Sequence, residues 1–278
     1  MGPEIREEAP AKAQMSRLLI ALQFYPGDQA EAMQLARLMA DLEPQHRRDA
    51  DLLFCGRFDC VHDWDTINYC CSKFNIATFL TRRKATGWPA GCNEMWHDLV
   101  DLMVENRIFN LGPAYDAILT CEADCVPMVS DWINRLKEAW LNRTPGALIA
   151  GHLAKSNNHA HINGNLLLSG HLADLQQVQK LRGSPPHIGW DYHHAFWFSR
   201  AGWAVIPEIV SWHSTQHFTE EDWDKLVANG CAFFHGVKHG RGIPLAYKRL
   251  LPRRSPVKVT LLDKPTSGED IPSENNRD

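Results

Sequence analysis

Two carboxylates one residue apart, Glu122 and Asp124, have the types and spacing that could hold a divalent cation. They follow an apolar run, Ala117 to Leu119, and a Val-Pro pair comes soon after them. Carboxylates at i and i+2 where a buried strand ends project from the edge of a sheet. There they can bind a hard cation that keeps free positions for a substrate diphosphate. The motif predicts a divalent-cation site, against the alternative of an exposed Glu beside a helix-capping Asp.

A histidine and a lysine late in the chain could complete such a site. His235 is followed by a glycine, and Lys238 lies three positions further on. An imidazole can ligate a metal, and an ammonium group can neutralise phosphate. We therefore assign His235 to the metal and Lys238 to phosphate; the alternative is a polar loop with solvated side chains.

Two polar segments in the second half could bind a hydroxyl-rich acceptor. His161, Asn163 and Asn165 alternate along one of them, so they form either a simple turn or amide and imidazole contacts to hydroxyl groups. In the other, Asp191 follows Trp190. A carboxylate among aromatic residues can be a general base beside a ring that stacks on a sugar, or else a buried structural Asp.

The first 130 residues alternate apolar strand patterns with amphipathic helices, and this alternation predicts an α/β fold with a mostly parallel sheet. Ligands of such sheets bind beyond the carboxyl ends of the strands. Asp28, Asp59, Arg82 and Arg83 follow predicted strands, as does the carboxylate pair. We expect one shared site, with Asp28 and Asp59 contacting a base or ribose and the arginines contacting phosphate.

Composition sets limits on the class of protein. The chain has 278 residues and a net charge of −4, so its overall charge does not point to a nucleic-acid partner. No apolar run reaches about 18 residues, so we expect no membrane insertion. The N-terminus lacks a signal-peptide core. We expect a cytoplasmic protein whose eight cysteines are mostly buried reduced thiols.

The domain organisation follows from the same patterns. Residues 1–15 are predicted to be a disordered leader, and residues 252–278 a flexible tail. Between them, residues 16–251 form a single domain, with a nucleotide-binding half at about 16–130. The remaining half, at about 131–251, is less regular and is predicted to bind the acceptor.

Taken in order, these motifs resemble the GT-A glycosyltransferases. In that fold, the D-x-D carboxylates bind Mn²⁺ or Mg²⁺, which bridges the diphosphate of a nucleotide sugar; Glu122 and Asp124 take those positions here. His235 and Lys238 are similar to the late His-x-x-Gly-x-x-Lys pattern of glycogenin-like members, although the spacing is shorter in this chain. The segment ending at Asn93 is similar to the Gly-rich, Asn-ended loop that precedes the D-x-D strand.

The resemblance implies transfer of a sugar from a UDP- or GDP-sugar to an acceptor hydroxyl. The acceptor stays open among a small molecule, a protein and modified DNA. Two alternatives remain beside this interpretation: a nucleotidyltransferase on a similar scaffold and an inert module that binds carbohydrate or nucleic acid. The segment after the first strand, FYPGDQAEA, lacks the Gly-rich basic signature that a nucleotidyltransferase would carry.

Overall fold

The structure, a computed structural model, describes residues 17–105, 115–156, 159–174, 181, 183–215, 218–237 and 240–252. The predicted leader and residues 253–278 of the predicted tail lie outside the described residues, as does Lys238.

Strands and helices alternate along the described part of the chain. The strands are β1 (Leu18–Phe24), β2 (Ala50–Gly56), β3 (Asn75–Leu80), β4 (Ala117–Glu122), β5 (Cys125–Pro127), β6 (Ile149–Ser156), β7 (His159–Ser169), β8 (Trp203–Val205), β9 (Ile209–Thr215) and β10 (Phe233–Val237). The helices are α1 (Gln29–Leu42), α2 (Trp64–Cys71), α3 (Ala90–Val104), α4 (Trp132–Asn142), α5 (Trp190–Ala201), α6 (Glu220–Ala228) and α7 (Gly242–Leu250).

Seven strands form the large sheet, in the order β3-β2-β1-β4-β7-β6-β8. The first four of these are mutually parallel, as the alternation of strands and helices predicts. β7 is antiparallel to β4, β6 is antiparallel to β7, and β8 is parallel to β6. The predicted α/β class with a mostly parallel sheet is therefore confirmed.

A small sheet, in the order β5-β10-β9, lies beyond the end of β4. β5 begins at Cys125, immediately after the acidic motif, and pairs antiparallel with β10. β10 in turn pairs parallel with β9. Because β4 and β5 are joined by a two-residue turn, this small sheet brings late segments of the chain to the carboxyl end of β4.

Both faces of the large sheet are covered, which explains why its central strands read as continuous apolar runs. In β1, Leu18, Ile20 and Leu22 pack into one core with α1, α4 and α7, while Leu19 and Ala21 pack into a second core with α3 and α5. All seven residues of β1 are buried.

The second half contains more regular structure than its sequence pattern indicates. The His161–Asn165 segment, which could have been a turn, lies inside β7, and the Trp190–His194 segment opens α5. All eight cysteines are free thiols, six of them buried, as predicted for reduced cysteines.

Candidate functional site

The acidic motif lies where β4 ends, as its sequence context predicts. Glu122 is the last residue of β4, and Asp124 follows in the turn that leads to β5. The turn is fixed by Asn165 of β7, whose Oδ1 accepts hydrogen bonds from the Glu122 backbone N–H at 2.9 Å and from Cys125 Sγ at 3.1 Å. Asn163 Oδ1 accepts from Asn165 Nδ2 at 3.2 Å. The two asparagines thus position the carboxylates.

His235 reaches the same place from β10. It pairs with Cys125 of β5, and the N–H groups of Gly236 and Val237 donate to the Asp124 carbonyl oxygen at 3.2 and 3.3 Å. Its Nε2 lies 3.2 Å from Asp124 Oδ1 and 3.4 Å from Glu122 Oε2. One ligand atom from each of these three residues lies within 4.8 Å of the other two. The structure therefore brings together the three side chains that we assigned to the metal.

The donor set fits a divalent cation. Nε2 of His235 is buried and makes no hydrogen bond with the residues that the structure describes, although two carboxylate oxygens lie nearby. Its other nitrogen, Nδ1, lies 2.6 Å from Ser211 Oγ on β9. A proton on Nδ1, donated to Ser211, leaves the Nε2 lone pair directed at the carboxylates. Two carboxylates and one imidazole suit Mn²⁺, and the carboxylates suit Mg²⁺.

When no cation is bound, the charges of Glu122 and Asp124 act on the protonation of His235. Burial lowers the pKa of His235, but the adjacent carboxylates, Asp124 first and then Glu122, outweigh it and raise this pKa to about 9. Without a bound cation, His235 is therefore an imidazolium ion at neutral pH, and its positive charge lies beside the two carboxylates.

Asp28 lies at the same edge, after the end of β1, the strand beside β4. Its Oδ1 accepts from the Tyr25 N–H at 2.8 Å. Burial raises the pKa of Asp28 to about 7, and the negative charges of Glu122, Glu31 and Asp124 add to the increase. Asp28 is therefore near enough to the acidic motif for their charges to interact.

Asp59 follows β2, one strand further along the sheet. It forms a two-pronged ion pair with Arg57, at 2.6 and 2.7 Å, and the Arg57 guanidinium lies 5.5 Å from the centre of the Tyr25 ring. This arrangement places an arginine and a half-exposed aromatic ring between Asp28 and Asp59.

Arg82 and Arg83 follow β3, and the structure does not bring them to the acidic cluster. Arg82 pairs with Glu105, and Arg83 contacts Glu94 and Asp101 along α3. β3 lies three strands from β4, which at about 4.8 Å per strand is roughly 14 Å. Their guanidinium groups serve the packing of α3 against the sheet edge.

Asn93 also makes its contacts inside the protein. It is buried in α3, and its Nδ2 donates to the carbonyl oxygens of Pro185 and Ile188 at 3.1 and 2.9 Å. Trp190, which follows this segment, is 5% exposed and stacks on Trp96 of α3 with ring centres 3.8 Å apart. Trp190 thus presents little surface to a sugar.

Asp191 lies in the first turn of α5, against β7. Its Oδ2 accepts from the Gly164 N–H at 3.0 Å, and its Oδ1 accepts from the Tyr192 N–H at 2.9 Å. His161 Nε2 lies 3.7 Å from Oδ2. Burial raises the pKa of Asp191, and the charge of Glu122 adds to the increase. His161 and the two backbone hydrogen bonds act in the opposite direction and lower this pKa. The carboxylate is therefore close enough to the metal cluster to sense it.

The sequence reasoning missed three residues around the cluster: Ser211, His152 and Tyr192. The position of Ser211 beside His235 follows only from the register in which β9 pairs with β10. His152 lies at a bulge in β6, and its pKa is lowered by burial and then by the nearby His235. Tyr192 could have been found, because it directly follows Asp191 in the sequence.

Among the described residues, no helix has the length and apolar character needed to cross a membrane.

No protein-family model matches the sequence, and neither does any curated protein. Solved structures do match. The glycosyltransferase GlyE of Streptococcus pneumoniae TIGR4 superposes with a TM-score of 0.50 at 10% identity, over 80% of this chain and 56% of the GlyE chain. The chain thus spans little more than half the length of that structure.

Two other matches have lower TM-scores. Mouse xyloside xylosyltransferase 1 has a TM-score of 0.48 at 12% identity, over 81% of this chain and 99% of its own. The mannosyltransferase PcManGT of Pyrobaculum calidifontis, solved with GDP-Man and Mn²⁺, has a TM-score of 0.45 at 11% identity, over 71% of this chain and 56% of its own. From the sheet order and the match to GlyE, the chain has the GT-A fold of glycosyltransferases.

Proposed function

We propose that the protein is a metal-dependent glycosyltransferase that moves a sugar from a nucleotide-sugar donor to an acceptor hydroxyl. The observation that carries the proposal is the cluster of Glu122, Asp124 and His235. It lies at the carboxyl end of β4, at the sheet edge where parallel sheets bind their ligands. The GT-A fold, which the chain shares with the glycosyltransferase GlyE, supports the same conclusion.

Glu122, Asp124 and His235 would hold Mn²⁺ or Mg²⁺. When bound, the cation supplies positive charge against the negative charge that builds on the leaving nucleoside diphosphate. Asn165 and Ser211 orient these ligands, because one fixes the acidic turn and the other fixes the imidazole ring.

The donor, a UDP- or GDP-sugar, would extend from this cluster along the ends of β1 and β2. Asp28 and the Arg57–Asp59 pair line that edge, so we assign them to the ribose and base. Lys238 is retained as a phosphate contact because it follows His235 closely in the sequence. Arg82 and Arg83 are not included, since both pair with α3. A cytoplasmic location remains a prediction from the sequence.

In an inverting reaction, a carboxylate accepts the proton of the attacking hydroxyl, and we assign this step to Asp191. The Gly164 and Tyr192 N–H groups fix its two oxygens. Its raised pKa makes the ionised carboxylate a stronger base.

The test is nucleotide-sugar hydrolysis with Mn²⁺ or Mg²⁺, using a panel of UDP- and GDP-sugars. We expect the wild type to hydrolyse at least one donor and Asp124→Asn to lose at least about 100-fold in rate, because removing a charged ligand disrupts the cation site. Asp131→Asn, at an exposed aspartate outside the cluster, is the matched control and should retain the wild-type rate.

Undiminished hydrolysis by Asp124→Asn would overturn the proposal. Nucleotide-sugar binding without any turnover by the wild type would instead favour an inert binding module.

A further inference from the structure

An aromatic cluster borders Asp191. The Tyr192 ring is 37% exposed and lies 4.4 Å from the His159 ring and 5.4 Å from the His161 ring, measured between centres. His161 also reaches Asp191 at 3.7 Å. The cluster of Tyr192, His159 and His161 is therefore continuous with the carboxylate that we assigned as the base.

The imidazole of His159, in this cluster, has a nitrogen that makes no hydrogen bond with the described residues. Nε2 of His159 is buried and has no hydrogen-bond partner there. An imidazole nitrogen in that position can donate to or accept from a hydroxyl group, depending on its tautomer. A half-exposed aromatic ring beside such a group suits a ligand with one apolar face and hydroxyls at its rim.

The charges around the cluster disfavour a polyanionic ligand. Asp191 lies beside it, and the charge of Glu122 extends to Asp191. Lys155, the one Lys or Arg in β6 and β7, pairs with Ala160. Because directly opposite residues share a face and successive residues alternate, Lys155 lies on the face opposite to His159 and His161. Phosphate groups of DNA would meet carboxylates here.

We infer that Tyr192, His159 and His161 form the acceptor site and that the acceptor is a neutral carbohydrate. This inference rests on the proposed function and names its acceptor class. The sugar ring packs on the face of Tyr192, its hydroxyls bond His159 and His161, and one hydroxyl is presented to Asp191. The transferred sugar is joined to that hydroxyl oxygen, whose proton goes to Asp191 while the nucleoside diphosphate leaves.

Saturation-transfer NMR tests the site without requiring turnover. The probes are methyl α-D-glucopyranoside, methyl β-D-galactopyranoside and methyl α-D-mannopyranoside in Mg²⁺ buffer, with the oligonucleotide d(T)8 as a polyanionic alternative. We expect the wild type to transfer saturation to the ring protons of at least one glycoside. Tyr192→Ala should reduce that signal at least about fivefold, while Tyr192→Phe, which keeps the ring face, should retain it. The control is Tyr69→Ala, a tyrosine of matching exposure (38%) on α2, and it should behave as the wild type.

Transfer assays add a second readout if hydrolysis of a donor is found. For the glycoside that binds, we expect Tyr192→Ala and His159→Ala to raise the acceptor KM at least about tenfold and to lower the ratio of transfer to hydrolysis. The inference is overturned if no glycoside binds, if only d(T)8 binds, or if Tyr192→Ala binds as the wild type does. Glycoside binding without donor turnover would refute the proposed function and leave the carbohydrate site standing.

Discussion

A single hydroxyl decides which nitrogen of His235 faces the two carboxylates. Ser211 Oγ lies 2.6 Å from Nδ1, so the ring cannot turn without losing this contact, and Nε2 stays near Glu122 and Asp124. Partners of this kind set both the tautomer and the orientation of metal-binding histidines. Ser211 thus belongs to the site although it touches neither carboxylate in the contacts described above.

Replacing this hydroxyl should weaken metal binding while leaving all three ligands in place. We expect Ser211→Ala to raise the Kd for Mn²⁺ by about 10- to 100-fold, measured by isothermal titration calorimetry. Ser72→Ala removes a comparable hydroxyl, which donates to the Tyr69 carbonyl oxygen at the C-cap of α2 and outside the cluster, and should leave the Kd unchanged. Equal affinities for wild type and Ser211→Ala would contradict the orienting role.

Residues that carry chemistry by themselves could be predicted, and residues that act through register could not. Glu122 and Asp124 follow a recognisable strand, and His235 is an imidazole beside a glycine in a late segment. By contrast, nothing near Ser211 in the sequence indicates that β9 pairs with β10. Trp190 shows the opposite failure, because a tryptophan beside an aspartate looks like a sugar platform until its stacking on Trp96 is seen.

At the scale of elements, the small sheet depends on one glycine. Gly236 of β10 has φ +120°, in the region that favours glycine, and an added Cβ would lie 2.5 Å from the Trp212 carbonyl oxygen on β9. This close approach coincides with the irregular pairing between His235 and Val237. The kink lets β10 turn its backbone N–H groups toward Asp124 while it still pairs with β9.

We expect Gly236→Ala to lower the free energy of unfolding by about 2–4 kcal/mol, because it combines a strained φ with a backbone clash. Gly146→Ala separates the two effects, since Gly146 also has a positive φ (80°) but nothing lies within 4 Å of its added Cβ. That control should lose only about 1 kcal/mol in the same urea titration. A similar loss in both variants would show that the clash with Trp212 is unimportant.

The contrast between the central strands and the strands at the site explains which strands could be predicted from the sequence. Strands covered on both faces, such as β1 and β2, are apolar at nearly every position and stand out between amphipathic helices. β7 and β10 instead carry histidine, asparagine or glycine at the positions that meet the site. These residues interrupt the apolar run and hide the strand pattern.

At the scale of the molecule, negative charge gathers at one edge of the large sheet. Asp28, Glu122, Asp124 and Asp191 come from three separate segments, and the pKa values of Asp28 and Asp191 are raised by burial first and then in part by these neighbours. Such an edge is unfavourable for the folded chain by itself, because burial and like charge both disfavour the ionised carboxylates. A bound cation would offset this cost.

The carboxyl group of Asp28 should lower the free energy of unfolding of the metal-free protein as pH rises and the group ionises. The pKa of Asp28 is about 7 in the folded state against 3.8 for an ordinary Asp, so the folded state disfavours its ionised form. Its contribution to stability is full below about pH 4 and is lost as pH rises towards 7. In EDTA, we therefore expect Asp28→Asn to be more stable than wild type at pH 8, by about 1–3 kcal/mol, and similar to it at pH 4.

Urea titrations at pH 4, 6 and 8 measure this difference. For Asp131→Asn, at an exposed aspartate, the difference in free energy of unfolding from wild type should not increase comparably with pH. If the free energies of unfolding of Asp28→Asn and wild type differ by the same amount at all three pH values, the raised pKa of Asp28 is contradicted.

The distance along the chain between the carboxylates and His235 has a consequence during synthesis. His235 is encoded more than a hundred residues after Asp124. At a translation rate of about 5–20 residues per second, the ribosome makes Glu122 and Asp124 roughly 5 to 20 seconds before the imidazole that completes the cluster. The nascent chain therefore passes through this interval with the two carboxylates made and the imidazole still missing. A chain that terminates before β10 would lack His235 altogether and could not form the cluster.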